Sequence, residues 1–144
     1  MKRLALLAVI AVFVLIGCGG GGGDSSGPAP IPPTVNVTGT WDASMTATGG
    51  TQMPVGTRWA TVMTAIQSGS GVSGTFSTAG GLVGQASGTV SGDDISFTVT
   101  QGPICAGTFN GFAMVNAASN QMSGTYSGAD CNGTLQTSFT ATKR

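Results

Sequence analysis

The residues here that could do chemistry are three cysteines, five aspartates and a large supply of serine and threonine. Histidine and glutamate are absent. A serine nucleophile needs a neighbouring base, and the usual one is missing. The one Gly-Ser-Gly stretch, Gly69-Ser70-Gly71, falls between two strand patterns and not on a strand-to-helix elbow. Asp93-Asp94 is a carboxylate pair of the kind that serves acid–base catalysis or holds calcium. It sits in a Ser-Gly-Asp turn, where capping its own backbone is the commoner role, and Asp130 beside Cys131 reads the same way. Asp42 should face outward near Arg58, as a surface pair of little weight. Met45, Met53, Met63, Met114 and Met122 read as core filling and not as a metal stripe. We therefore expect no catalytic residues, no metal and no cofactor.

The charge balance points the same way. Five basic residues face five acidic ones, and charged residues make up only 7% of the chain. Once the first three residues are set aside, Arg58, Lys143 and Arg144 remain against all five Asp. Such a balance gives no basic footprint, so nucleic acid is not an expected partner.

The first stretch is an address. Lys2 and Arg3 precede an unbroken apolar run, Leu4–Ile16, which ends at Gly17-Cys18. The run is shorter than the ~20 residues that cross a bilayer and fits the apolar region of a secretory signal. Leu15-Ile16-Gly17-Cys18 resembles the lipobox of bacterial lipoproteins. That resemblance implies a signal peptide over residues 1–17, cleavage after Gly17 and lipidation of Cys18, with the membrane as a partner through that lipid. Two or three acyl chains satisfy the requirement for stable anchoring. Residues 18–34 then form a Gly- and Pro-rich tether with little to bury, reaching roughly 50 Å at ~3.3 Å per residue. Gly19 stands where such lipoproteins carry Asp when kept at the inner membrane, so the resemblance favours a place in the outer membrane of the cell envelope.

Residues 35–144 have a different texture. The pattern apolar-x-Gly-Thr-apolar recurs at Val37–Trp41, Val72–Phe76, Ala86–Val90, Cys105–Phe109, Met122–Tyr126 and Cys131–Leu135. In a strand of period two, the first, third and fifth positions share the inner face. A glycine at the centre is costly unless the strand must coil sharply or large neighbours must share a narrow interior. We expect strands near Val35–Thr46, Arg58–Ser68, Val72–Thr78, Gln85–Ser91, Asp94–Gln101, Cys105–Val115, Gln121–Ser127 and Gly133–Thr142. Gly69-Ser70-Gly71, Ser91-Gly92-Asp93 and Gly128-Ala129-Asp130 are turn chemistry, and Gly49–Gly56 reads as a longer loop. Short connections make neighbours antiparallel. The expected fold is all-β: an eight-stranded up-and-down meander barrel, which would leave no open edge. A two-sheet β-sandwich is the alternative.

Gly39-Thr40-Trp41 resembles the Gly-x-Trp start of lipocalins and their avidin-like relatives. The resemblance implies a basic residue from the last strand packed over the Trp41 ring, a role open to Lys143 or Arg144. No biotin-binding residues carry over. Lipocalins run longer and have larger loops, so a filled interior is one expected outcome. A hollow one would be lined by Trp41, Phe76, Val90, Phe97, Phe109, Tyr126 and Phe139 and would carry a small apolar ligand. Trp59 and Met63 share one face of their strand, opposite Ala60, Val62 and Ile66. If exposed, they would mark a surface for an envelope protein partner. In an exported chain, Cys105 and Cys131 begin strands at the same end of a meander and are placed to form a disulfide. The sequence thus leaves two readings: a non-enzymatic binding or structural module on a lipid anchor, or a lipocalin-like carrier.

Overall fold

A computed structural model describes residues 29–103 and 105–144 of the chain. The expected signal peptide, Cys18 and most of the expected tether lie outside the described residues.

Eight strands follow one another in sequence order: β1 (Gly39–Gly50), β2 (Arg58–Ser68), β3 (Gly71–Thr78), β4 (Val83–Ser91), β5 (Asp94–Gln101), β6 (Thr108–Val115), β7 (Gln121–Asp130) and β8 (Gly133–Lys143). Each pairs antiparallel with the next, and β8 returns to β1 to close the barrel. The closing seam runs from Trp41 opposite Lys143 to Gly50 opposite Leu135, with a bulge between Ala47 and Gly49. Closure excludes the sandwich and leaves the barrel without a free strand edge.

The period-two pattern decides which residues go inside. On β1, Trp41, Ala43, Met45 and Ala47 are buried while Asp42, Ser44 and Thr48 are exposed. On β6, Phe109, Gly111, Ala113 and Val115 are buried and alternate with exposed Thr108, Asn110, Phe112 and Met114. The outer face is mostly serine and threonine, tied across strands by contacts such as Thr64–Thr75 (2.7 Å) and Thr89–Ser96 (2.9 Å).

The repeated glycines answer the need for coiling. A Cβ on Gly74 would strike the Thr64 carbonyl on β2, and one on Gly124 would strike the Phe112 carbonyl on β6. Neighbouring backbones press in where a side chain would stand, as strong coiling of a small barrel requires.

Several boundaries differ from expectation. β1 runs to Gly50, past Thr46 and into the expected Gly49–Gly56 loop, and β4 begins at Val83. Residues 35–38 alternate apolar and polar as a strand would, but they form a strap beneath the barrel, with Val35 and Val37 buried as a plug. The strap's backbone bonds to side chains and turns: Thr34 N–H to the Gly92 carbonyl (2.8 Å), Asn36 N–H to Ser119 Oγ (3.1 Å) and Val37 N–H to Gln67 Oε1 (2.9 Å). Gly128-Ala129-Asp130 is not a turn, because β7 continues through it and the reversal falls at Cys131-Asn132. β6 begins at Thr108, so Cys105 lies in the loop before it.

Candidate functional site

The two ends of the barrel differ. The floor carries the strap, the turns at 69–70, 92–93 and 116–120, and the end of β8. There Val35, Val37, Trp41, Val90, Ile95 and Val115 pack into a core with Phe139. Trp41 is fully buried, and its indole N–H donates to the Val37 carbonyl (2.9 Å). Lys143 Nζ lies 5.4 Å from the centre of the Trp41 ring and donates to the Asn36 carbonyl (3.0 Å). Of the two basic residues at the end of β8, Lys143 therefore takes the place over Trp41. Arg144 turns outward to Asp42, donating through Nη2 (2.6 Å) and Nε (2.9 Å). The Asp42 partner is thus Arg144 and not Arg58, because Asp42 pairs with Val62 and Thr142 while Arg58 lies four residues along, opposite Thr46.

The mouth is formed by the loops at 51–57, 79–82, 102–107 and 131–132. Below it the barrel is hollow. A cavity of about 740 Å³ runs from this rim down to Trp41. Its size lies within the range of small-molecule sites. All six aromatic residues expected to bind ligand line it: Trp41, Phe76, Phe97, Phe109, Tyr126 and Phe139. Four of them form a chain of ring contacts. Phe109 meets Tyr126 edge-on at 6.0 Å, Tyr126 meets Phe139 at 6.4 Å, and Phe139 meets Phe97 edge-on at 6.1 Å. Val90, expected on the same surface, packs into the floor instead.

The hollow comes from small residues on the facing wall. Inward positions on β3 and β4 include Gly74, Gly84, Ala86 and Gly88. Phe76 leans across the face of Gly84 into the space this leaves.

Trp59 and Met63 were open to either face in the sequence. They point inward with Thr61 and Ala65 and line the cavity, and Ile66 is the large apolar residue of β2 that is exposed. Register settles it, because Met63 sits opposite Trp41 and both must share the interior.

Three buried polar oxygens have no hydrogen-bond partner among the described residues: Thr61 Oγ1, Gln101 Oε1 and Thr137 Oγ1. Thr61 and Gln101 line the cavity. Burial pushes the Tyr126 phenol above its ordinary value, and nearby Thr137 draws it partly back.

Cys105 and Cys131 form a disulfide on the rim, with Cα atoms 5.3 Å apart. β6 and β7 are paired neighbours with Thr108 opposite Ala129, so Cys105 just before β6 comes beside Cys131 just after β7. Cys105, Asp130 and Cys131 cluster closely, but the two sulfurs bond to each other and are not free thiolate ligands. The remaining aspartates do not converge, since Asp93 and Asp94 stand at the floor and Asp130 at the mouth.

No known family model and no curated protein matches the chain. Among solved structures it is similar to one described as a redesigned beta barrel. The TM-score is 0.57 at 16% identity, covering 75% of this chain and 91% of the other. A likeness at that identity concerns the barrel fold alone.

Proposed function

We propose that the protein is a non-enzymatic, lipid-anchored binding module of the bacterial cell envelope, whose barrel takes up a small apolar ligand. The observation that carries the reading is the aromatic-walled cavity of about 740 Å³ reaching from the rim to Trp41. An apolar cavity with a few polar groups is what a small-molecule site requires. The polar outer face suits a barrel standing in water, because a membrane-spanning barrel turns an apolar band outward. The scattered aspartates and the absence of histidine support a module without catalysis.

The anchor rests on Leu15-Ile16-Gly17-Cys18 and on the tether that follows. The described chain enters at the floor, where Gly92 N–H donates to the Pro32 carbonyl (3.2 Å). A tether attached there leaves the mouth facing away from the lipid surface.

An envelope protein as partner is the weaker reading. Phe112 and Met114 are exposed neighbours on β6, but serine and threonine surround them. Titration with N-phenylnaphthylamine separates the two readings. Saturable probe fluorescence that Phe112→Ser leaves unchanged supports the cavity; no binding refutes it. Intact mass of the membrane-extracted protein should begin at Cys18 with added acyl mass, and an unmodified amino terminus refutes the anchor.

A further inference from the structure

The polar groups of the cavity specify the head of its ligand, an inference that rests on reading the cavity as a ligand site. Thr61 is only 4% exposed, and its hydroxyl has no partner. Gln101 Oε1 is likewise buried and unpaired. Both belong to the mouth half of the barrel, for Thr61 sits opposite Thr78 at the end of β3, and Gln101 opposite Gly84 near the start of β4. Buried polar atoms left unpaired are costly, so a ligand that completes them is selected over one that does not.

Charge narrows the choice. Among the described residues the cations are Arg58, Lys143 and Arg144. Arg58 is exposed at the start of β2, Lys143 sits in the floor over Trp41, and Arg144 is held by Asp42 on the outside. None of them lines the cavity, and the charged side chain that does is Asp130 at the mouth. A carboxylate head would approach Asp130 as a like charge and would find no cation, with at best the Gln101 amide turned to offer its NH2.

We infer that the cavity selects an amphiphile with an uncharged, hydrogen-bond-donating head, of the long-chain alcohol class, taken up tail first. The tail lies among Met63, Phe97 and Tyr126. The head hydroxyl pairs with the Thr61 hydroxyl in the mouth half of the barrel. Fatty acids of the same length are rejected.

The test is displacement of bound N-phenylnaphthylamine by decanol, decanoate and decylammonium. It uses the chain carrying Cys18→Ser, which keeps the whole barrel and removes the acyl attachment point. Decanol should displace the probe at concentrations about tenfold or more below decanoate, as expected of a site built to bond a hydroxyl. Thr61→Val should weaken decanol about fivefold relative to the probe, one hydrogen bond's worth, with a melting temperature no lower than that of the wild type. Decanoate or decylammonium binding as tightly as decanol would overturn the assignment and leave the cavity reading standing. An unchanged decanol affinity in Thr61→Val overturns the placement of the head. Failure of the probe itself to bind removes the ligand site, and this inference with it.

Discussion

Lys143 Nζ stands 5.4 Å from the centre of the Trp41 ring while donating to the Asn36 carbonyl of the strap. One side chain thus joins the last strand, the first strand and the segment that plugs the floor. Gly39 makes room for it, because a Cβ there would lie 2.7 Å from Lys143 Cε, and its φ of +145° is itself unfavourable for other residues. The spacing Gly39-x-Trp41 is therefore explained: the glycine clears the path by which the lysine reaches the indole.

Lys143→Met keeps the apolar stem and removes the charge. It should destabilise the barrel by about 1–2 kcal/mol, from the lost cation–π contact and hydrogen bond. Urea unfolding measures it. Arg144→Met should cost much less, since Arg144 and Asp42 each leave 56% of the side chain exposed.

Gly124→Ala tests the strand glycines. The added Cβ would run into the Phe112 carbonyl and Ala113 on β6. No flexible side chain is there to yield, so backbone must move. A loss of about 2 kcal/mol or more is expected, against little change for Gly80→Ala, where a Cβ makes only an ordinary contact with Thr78. Parallel chemical denaturation of the two variants decides it.

The disulfide spans 26 residues and ties two rim loops without joining any strand to a new neighbour. Its removal by Cys105→Ser with Cys131→Ser should lower stability by about 3 kcal/mol on the chain-entropy argument. The far-ultraviolet spectrum should stay that of the closed barrel. Melting curves with and without reductant should show the same loss in the wild type and none in the double variant.

Two pH responses follow, with opposite signs. Arg144 beside Asp42 holds its carboxyl below the ordinary value. That small contribution is present above the ordinary carboxylate range and is lost as pH falls through the depressed value. Wild type and Asp42→Asn should therefore converge in stability under acid. The Tyr126 phenol is raised by burial, so its contribution is complete below the ordinary phenol range and is lost as pH rises through the folded value. Tyr126 is the sole tyrosine, so its ultraviolet titration reads one group and should lie above that of free tyrosine.

Much of this was written locally. β2 and β5 match the sequence reading end for end because glycine turns and a clean alternation bound them. Inward Trp41, Phe76, Phe97, Phe109, Tyr126 and Phe139 follow from period two alone. What escaped depends on distant pairing. The strap at 35–38 has the alternation of a strand, and only the fold shows that it has Gln67 and Ser119 as partners. The face of Trp59 is fixed by buried Met45, its partner across the β1–β2 register. Arg144 reaches Asp42 through the closing seam. The cavity is least legible of all, because it is the volume left when Gly74, Gly84 and Ala86 face aromatic rings across the barrel.

Whether the interior is hollow is read most directly by filling it. Ala86→Leu adds apolar bulk to the cavity wall. Calorimetric melting together with N-phenylnaphthylamine titration should show an unchanged or higher melting temperature and at least about a tenfold loss of probe affinity. A lower melting temperature, as overpacking a solid core produces, with no probe bound by the wild type, would contradict a ligand cavity in this barrel.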